Sequence, residues 1–216
     1  ELGASEKNLF GWGKTVTGSH RTNLDRTIDQ LVYEDYQLFG SNVGVTASAA
    51  NLSDGSEQFV QFDRGYLSLQ DPWSVRVGGG RFSRTDPIFE SGTEAGRLLH
   101  QGRWGDLEVG RAIRRRGGHA IRLHGAYRMR DERVGVDRRD FGVVEVGVRA
   151  LSHRFVRLTH VNRFERAEDF NLGTESYGTV GLSSPVLGGQ DDRVTMLAVG
   201  HHQGFRLRDD HFMLAS

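Results

Sequence analysis

Apolar and charged residues alternate along this chain in segments about ten residues long, separated by turn residues. Ile121, Leu123, Tyr127 and Met129 fall on one side of such a segment, and Arg122, His124, Arg128 and Arg130 on the other. Val144, Val146, Val148 and Ala150 likewise oppose Glu145 and Arg149. A period of two predicts β-strands, because successive side chains leave opposite faces of the pleat. Several long arginines on one face need water or carboxylate partners. A closed barrel with a wet interior supplies both, so the pattern predicts an all-β, antiparallel transmembrane β-barrel.

The turn residues set the predicted topology. Ser53-Asp54-Gly55-Ser56 and Arg116-Gly117-Gly118-His119 read as hairpin loops, and Asp71-Pro72-Trp73-Ser74 as a proline turn. Between them lie about ten predicted strands: 14–22, 26–37, 43–51, 57–69, 74–83, 95–113, 119–132, 143–153, 170–183 and 193–207, with 211–216 opening another. Val43, Val45, Ala47 and Ala49 alternate with smaller or polar residues. Val60, Phe62 and Tyr66 share a face that Arg64 interrupts. An outward arginine at mid-bilayer costs about 2–4 kcal/mol, which places Arg64 at an interface or a bulge. Strand 193–207 is apolar on both faces, leaving its register open.

On this reading Val43, Val45, Ile121, Leu123, Tyr127, Val144, Val146 and Val148 face lipid. Arg122, His124, Arg128, Glu145 and Arg149 face the lumen. The connections fall into two alternating sets: short ones at 38–42, 70–74 and 115–118, and longer, more charged ones at 84–92, 131–140 and 184–192, as at the two rims of an outer-membrane barrel. Phe10, Trp12, Tyr36, Phe39, Trp73, Phe82 and Phe89 sit at predicted strand ends or beside turns, where an interfacial girdle would lie. Aromatics capping the core of a soluble β domain are the other reading.

Composition narrows the class further. The 216 residues fit a single β domain, and 28 basic residues balance 28 acidic ones, so no global field points to nucleic acid. Glycine (29) is plentiful and proline (3) scarce, as suits many strands joined by tight turns. The absence of cysteine excludes a disulfide framework and a thiolate metal site. No continuous apolar run is long enough for a membrane helix, and mean hydropathy, at −0.50, is blind to barrels because only alternate residues would face lipid. No signal peptide is visible at Glu1, which suggests a mature form or a piece of something longer.

Three stretches go beyond pattern: Glu6-Lys7-Asn8-Leu9-Phe10-Gly11-Trp12-Gly13-Lys14, Glu34-Asp35-Tyr36-Gln37-Leu38-Phe39-Gly40-Ser41 and Ala167-Glu168-Asp169-Phe170-Asn171-Leu172-Gly173. In order and spacing they resemble barrel elements of the Omp85 superfamily, the BamA/TamA-like outer-membrane proteins: the lead into the first strand, the first periplasmic turn without its usual proline, and a later turn and strand. The resemblance implies a bacterial outer-membrane location and a sixteen-stranded barrel of which this chain is the N-terminal two-thirds. It also implies a role in inserting or translocating other polypeptides, with outer-membrane lipids and client chains as partners and no cofactor. The chain departs from the family pattern in lacking periplasmic POTRA domains, in stopping before the sixth extracellular loop, and in ending at Met213-Leu214-Ala215-Ser216 without a terminal aromatic signal.

Gly13, Lys14, Thr15, Thr17 and Gly18 give the predicted first strand little to pack with, and such a strand can expose backbone groups on which an incoming strand adds. That seam is the candidate working element of an assembly barrel; a merely weak strand is the plainer reading. A passive pore or membrane anchor of the same fold and a soluble β-sandwich are the alternative functions.

Nothing in the sequence suggests catalysis. His201-His202 are strand neighbours on opposite faces and cannot chelate one metal. Glu168-Asp169 reads as a solvated turn pair, and Gly78-Gly79-Gly80 lies within a strand with no helix to follow. Arg111, Arg114, Arg115 and Arg116 either bind lipid phosphates at a membrane rim or, the plainer reading, form a solvated hairpin end offset by neighbouring carboxylates. Asp131-Glu132-Arg133 and Asp137-Arg138-Arg139-Asp140 mix signs closely enough to neutralise themselves.

Overall fold

The structure, a computed structural model, describes residues 2–159, 167–190, 193–208 and 211–215. Its strands are Leu2–Glu6 (β1), Thr15–Thr22 (β2), Thr27–Asp35 (β3), Gly44–Leu52 (β4), Gly55–Arg64 (β5), Trp73–Glu90 (β6), Thr93–Arg116 (β7), His119–Val134 (β8), Asp137–Ser152 (β9), Phe155–Thr159 (β10), Ala167–Asn171 (β11), Thr174–Ser183 (β12), Val194–Arg208 (β13) and His211–Ala215 (β14). Twelve of them form one antiparallel sheet in the order β1-β2-β3-β4-β5-β6-β7-β8-β9-β12-β13-β14. β10 and β11 make a separate hairpin between β9 and β12. The fold is all-β, and the sheet is open: β1 and β14 are its two edges.

Two-residue turns explain why so much of the chain is strand. Ser91 and Gly92 have φ of 50° and 83°, and Gly117 and Gly135 lie at 57° and 62°. That backbone twist matches the twist of the strands it joins. The predicted loops at 84–92 and 131–140 are therefore not loops. β6 and β7 continue through the first to the turn at 91–92, and β8 and β9 through the second to the turn at 135–136. The expected sorting into short and long rims fails, since the rim expected to carry short turns holds the eight-residue connections 36–43 and 65–72.

Register fixes the two faces. The residues paired across neighbouring strands share a side, so Phe62, Val77, Leu107, Tyr127, Val144 and Leu182 form one row. The next row holds Val75, Val109, Gly125, Val146, Val180 and Leu197. β13, whose own pattern was ambiguous, takes its register from β12, with Leu197 opposite Val180. No second layer covers these side chains among the described residues: Val146 is 59% exposed and Leu197 73%. The buried apolar residues are few and mostly small, and Val143 is the largest that is fully buried.

The apolar belt crosses the hydrogen-bonded rows at an angle. The row Leu31, Ala49, Gln58, Arg81, Arg103, Asp131 is apolar on β3 and β4 and charged from β6 onward. The row Val199, Gly178, Val148, Leu123, Arg111, Trp73 is apolar from β13 to β8 and meets an arginine on β7. Belt and strands are thus mutually inclined.

Candidate functional site

The opposite face carries the charge. Asp63, Arg76, Glu108, Ala126 and Glu145 lie in one row across β5 to β9. Arg128 bridges Glu108, at 3.3 Å, and Glu145. Arg76 approaches Glu108 at 3.8 Å, and Arg149 approaches Glu175 at 3.3 Å. Among the described residues Arg122 makes no ion pair; its guanidinium stacks 3.8 Å from the Tyr66 ring centroid and donates from Nη2 to the Ser68 carbonyl at 2.9 Å. Because Tyr66 and Ser68 belong to the connection 65–72, that segment folds back over the charged face. Arg76, Glu108, Arg122, Arg128, Glu145 and Arg149 line a pocket of about 470 Å³ together with Tyr66, His124 and Tyr177.

Glycine makes room on this face. A Cβ on Gly80 would lie 2.7 Å from the Trp104 indole nitrogen, one on Gly102 2.6 Å from the Phe82 ring, and one on Gly110 2.7 Å from the Tyr66 hydroxyl. His124 and Tyr177 lie across Gly147 and Gly200 in the same way. Rings laid over bare backbone fill the surface that the missing side chains leave. Trp104 reaches over Gly80 toward Phe59, with centroids 6.4 Å apart, tying β5 to β7 across β6.

No family model, curated protein or solved structure matches the chain.

Of the residues expected to face lipid, Ile121, Leu123, Tyr127, Val144, Val146 and Val148 share the belt face by register. Val45 shares it too but is covered, at 8% exposure. Val43 lies ahead of β4 in the turn, where its carbonyl accepts from the Leu38 N–H at 2.8 Å. Arg122, His124, Arg128, Glu145 and Arg149 share the charged face and line its pocket. The seam is displaced. Leu2–Glu6 pairs with Val16–His20, so the strand bearing Thr15, Thr17 and Gly18 has neighbours on both sides and the sheet edge is β1. Gly13, at φ 67°, and Lys14 belong to the preceding turn.

Arg64 ends β5, stacked 3.8 Å over Trp73 and bonded to its carbonyl, at the margin of the belt. Phe82, expected near a strand end, lies within β6 on the charged face, edge-on to His100. His201 bonds Ser176 at 2.9 Å, while His202 stands on the other face opposite Glu175. Asp169 pairs in register with Arg157 on the β10–β11 hairpin. Among the described residues no cluster of three or more metal-ligating side chains forms, and no helix is long and apolar enough to cross a membrane.

Beyond the belt, on the long hairpins, His100 bonds Asp86 at 2.9 Å and also Glu132, linking β6, β7 and β8. Arg26 adds ion pairs to Asp54 at 3.3 Å and Asp86 at 2.6 Å. Burial works against the charge on Asp86, but hydrogen bonds from Arg26 and His100, with the Arg84 cation, outweigh it and lower the carboxyl to about 2. The His100 hydrogen bond, opposed by burial and aided by Arg130, lowers Glu132 too. Among the turns at the other end, the Gln37 backbone N–H, with Lys14 at 3.3 Å, lowers Asp35.

A carboxyl lowered in the folded state stabilises above its unfolded pKa, and that contribution is lost as pH falls through the folded one. Acid destabilisation by Asp86 should thus set in below its ordinary 3.8 and complete as pH falls past about 2. Unfolding midpoints measured against pH should lose this slope in Asp86→Asn. An unchanged slope would remove Asp86 as its source.

Proposed function

We propose that this chain forms the wall of an outer-membrane β-barrel of the Omp85 type, its belt against lipid hydrocarbon and its charged face against an aqueous lumen. The observation that carries the reading is the uncovered apolar belt, continuous from β3 to β13 and inclined to the strands. A soluble sandwich would bury such a face under a second sheet. The opposite face suits water: its arginines and carboxylates are partly exposed and mostly paired, as in a polar lumen. The Leu-Phe-Gly turns support the family assignment. Leu38, Phe39 and Gly40 repeat the backbone of Leu9, Phe10 and Gly11, with the phenylalanines at φ of 52° and 51°.

Within that barrel we assign assistance in inserting or translocating other polypeptides. The support is β1, a five-residue edge strand with one partner among the described residues, whose outward backbone groups can template an added strand. A passive pore or anchor is the competing role, favoured by the ion-paired pocket on the charged face.

The test is gel mobility of the detergent-extracted native protein with and without heating, together with envelope fractionation. A heat-dependent shift and recovery in the outer-membrane fraction are the expected results. Recovery as a freely soluble protein with one mobility would overturn the membrane assignment, and the assembly role with it.

A further inference from the structure

We propose that the outer face just beyond the belt, at the β7–β8 hairpin, binds the phosphate of an anionic phospholipid; this rests on the membrane reading above. The site is two register rows: Arg114, Ile121, Ala150 and Ser176 in one, and Arg116, His119, Ser152 and Thr174 in the next. Both continue the face that carries Leu123 and Val148. They line a groove of about 630 Å³ with a largely apolar floor and two guanidinium groups at its β7 side.

A β-bulge builds this arrangement. The register of β7 against β8 shifts between Ala112 and Arg114, leaving Ile113 as the extra residue. In an unbroken strand Arg114 and Arg116 would alternate onto the charged face with Ala112. The bulge turns them outward to join Arg111, re-aiming side chains as bulges do. Arg115 goes the other way and donates to the Gln70 carbonyl of the connection that covers the charged face.

The solvated-hairpin reading requires neighbouring carboxylates to offset these charges. None does so: Arg111, Arg114 and Arg116 make no ion pair among the described residues. At the opposite margin of the belt Arg103 and Arg138 both engage Asp131, at 3.0 and 3.7 Å, while Arg81 and Arg133 beside them make no ion pair among the described residues, so what sets the β7–β8 site apart is its apolar floor. Cations without carboxylates, beside an apolar groove that continues the lipid-facing belt, match a ligand with a phosphate head and acyl tails. A soluble anion has no use for the floor.

The test uses the full chain, floated with vesicles of phosphatidylcholine alone or with phosphatidylglycerol added. Association with both is expected, tighter with the anionic vesicles by about fivefold for each arginine engaged. Arg114→Gln combined with Arg116→Gln should bring anionic binding down to the neutral level while keeping heat-modifiable mobility. Arg103→Gln combined with Arg138→Gln should leave the preference intact. Preference retained in the first variant, or abolished by millimolar inorganic phosphate at constant ionic strength, would overturn the lipid site and leave the barrel standing. Failure to float with either vesicle would overturn both.

Discussion

Val146→Arg should abolish the heat-modifiable, membrane-recovered form of the protein. Val146 sits in the middle of the row Val75, Val109, Gly125, Val146, Val180, Leu197 and is 59% exposed, with no second layer over it among the described residues. Against hydrocarbon, an arginine there costs about 2–4 kcal/mol, a large share of the stability of any single domain. Against water the same change at an exposed valine falls within about 0.5 kcal/mol of neutral. The two environments are thus separated by one substitution, read as the fraction of heat-modifiable protein in the membrane pellet. A variant that inserts like the parent would place water on the belt.

Gly80→Val tests the other face. Its Cβ would lie 2.7 Å from the Trp104 nitrogen, 2.8 Å from the Gln58 carbonyl oxygen and 2.8 Å from the Phe59 Cβ. The Trp104 ring can swing aside, but the Gln58 oxygen is backbone and yields only if β5 moves. Overpacking of this kind costs about 1–3 kcal/mol. The unfolding midpoint should fall accordingly, and Trp104 fluorescence should shift as the indole leaves Gly80. A fall in stability without a change in the Trp104 signal would mean that the ring does not hold the strands together. Gly105, whose nearest neighbour for an added Cβ is the flexible Met129 side chain at 3.5 Å, supplies the tolerant control as Gly105→Ala.

Strand content and the assignment of faces were legible because a period of two is a local property. Ile121 through Met129 and Val144 through Ala150 carry it without reference to any partner. Register is not local. That is why Tyr66 reaching Arg122, Trp104 reaching Phe59 and the ladder of rings over glycines left no readable trace in the sequence. The hairpins at 91–92 and 135–136 hide behind a charge density that suggests loops, whereas strands that stand clear of an apolar belt have no reason to keep one face apolar. β1 is not legible because Leu2-Gly3-Ala4-Ser5-Glu6 alternates too weakly to register, nor are β10 and β11, each of which spans only five residues. The bulge at Ile113 leaves no compositional mark either, so the direction of Arg114 and Arg116 had to await the pairing with β8.

The length of β7 has a mechanical meaning. Its 24 residues span about 80 Å at the rise of an extended strand, and a bilayer's hydrocarbon occupies only about 25 Å of a barrel wall. With β6 it forms a ribbon whose tip, Ser91 and Gly92, stands far from the apolar belt. A ribbon anchored at one end is a lever: a load at the tip is multiplied by the arm before it reaches the anchored strands. On the membrane reading, whatever catches that tip outside the cell pulls directly on the middle of the wall.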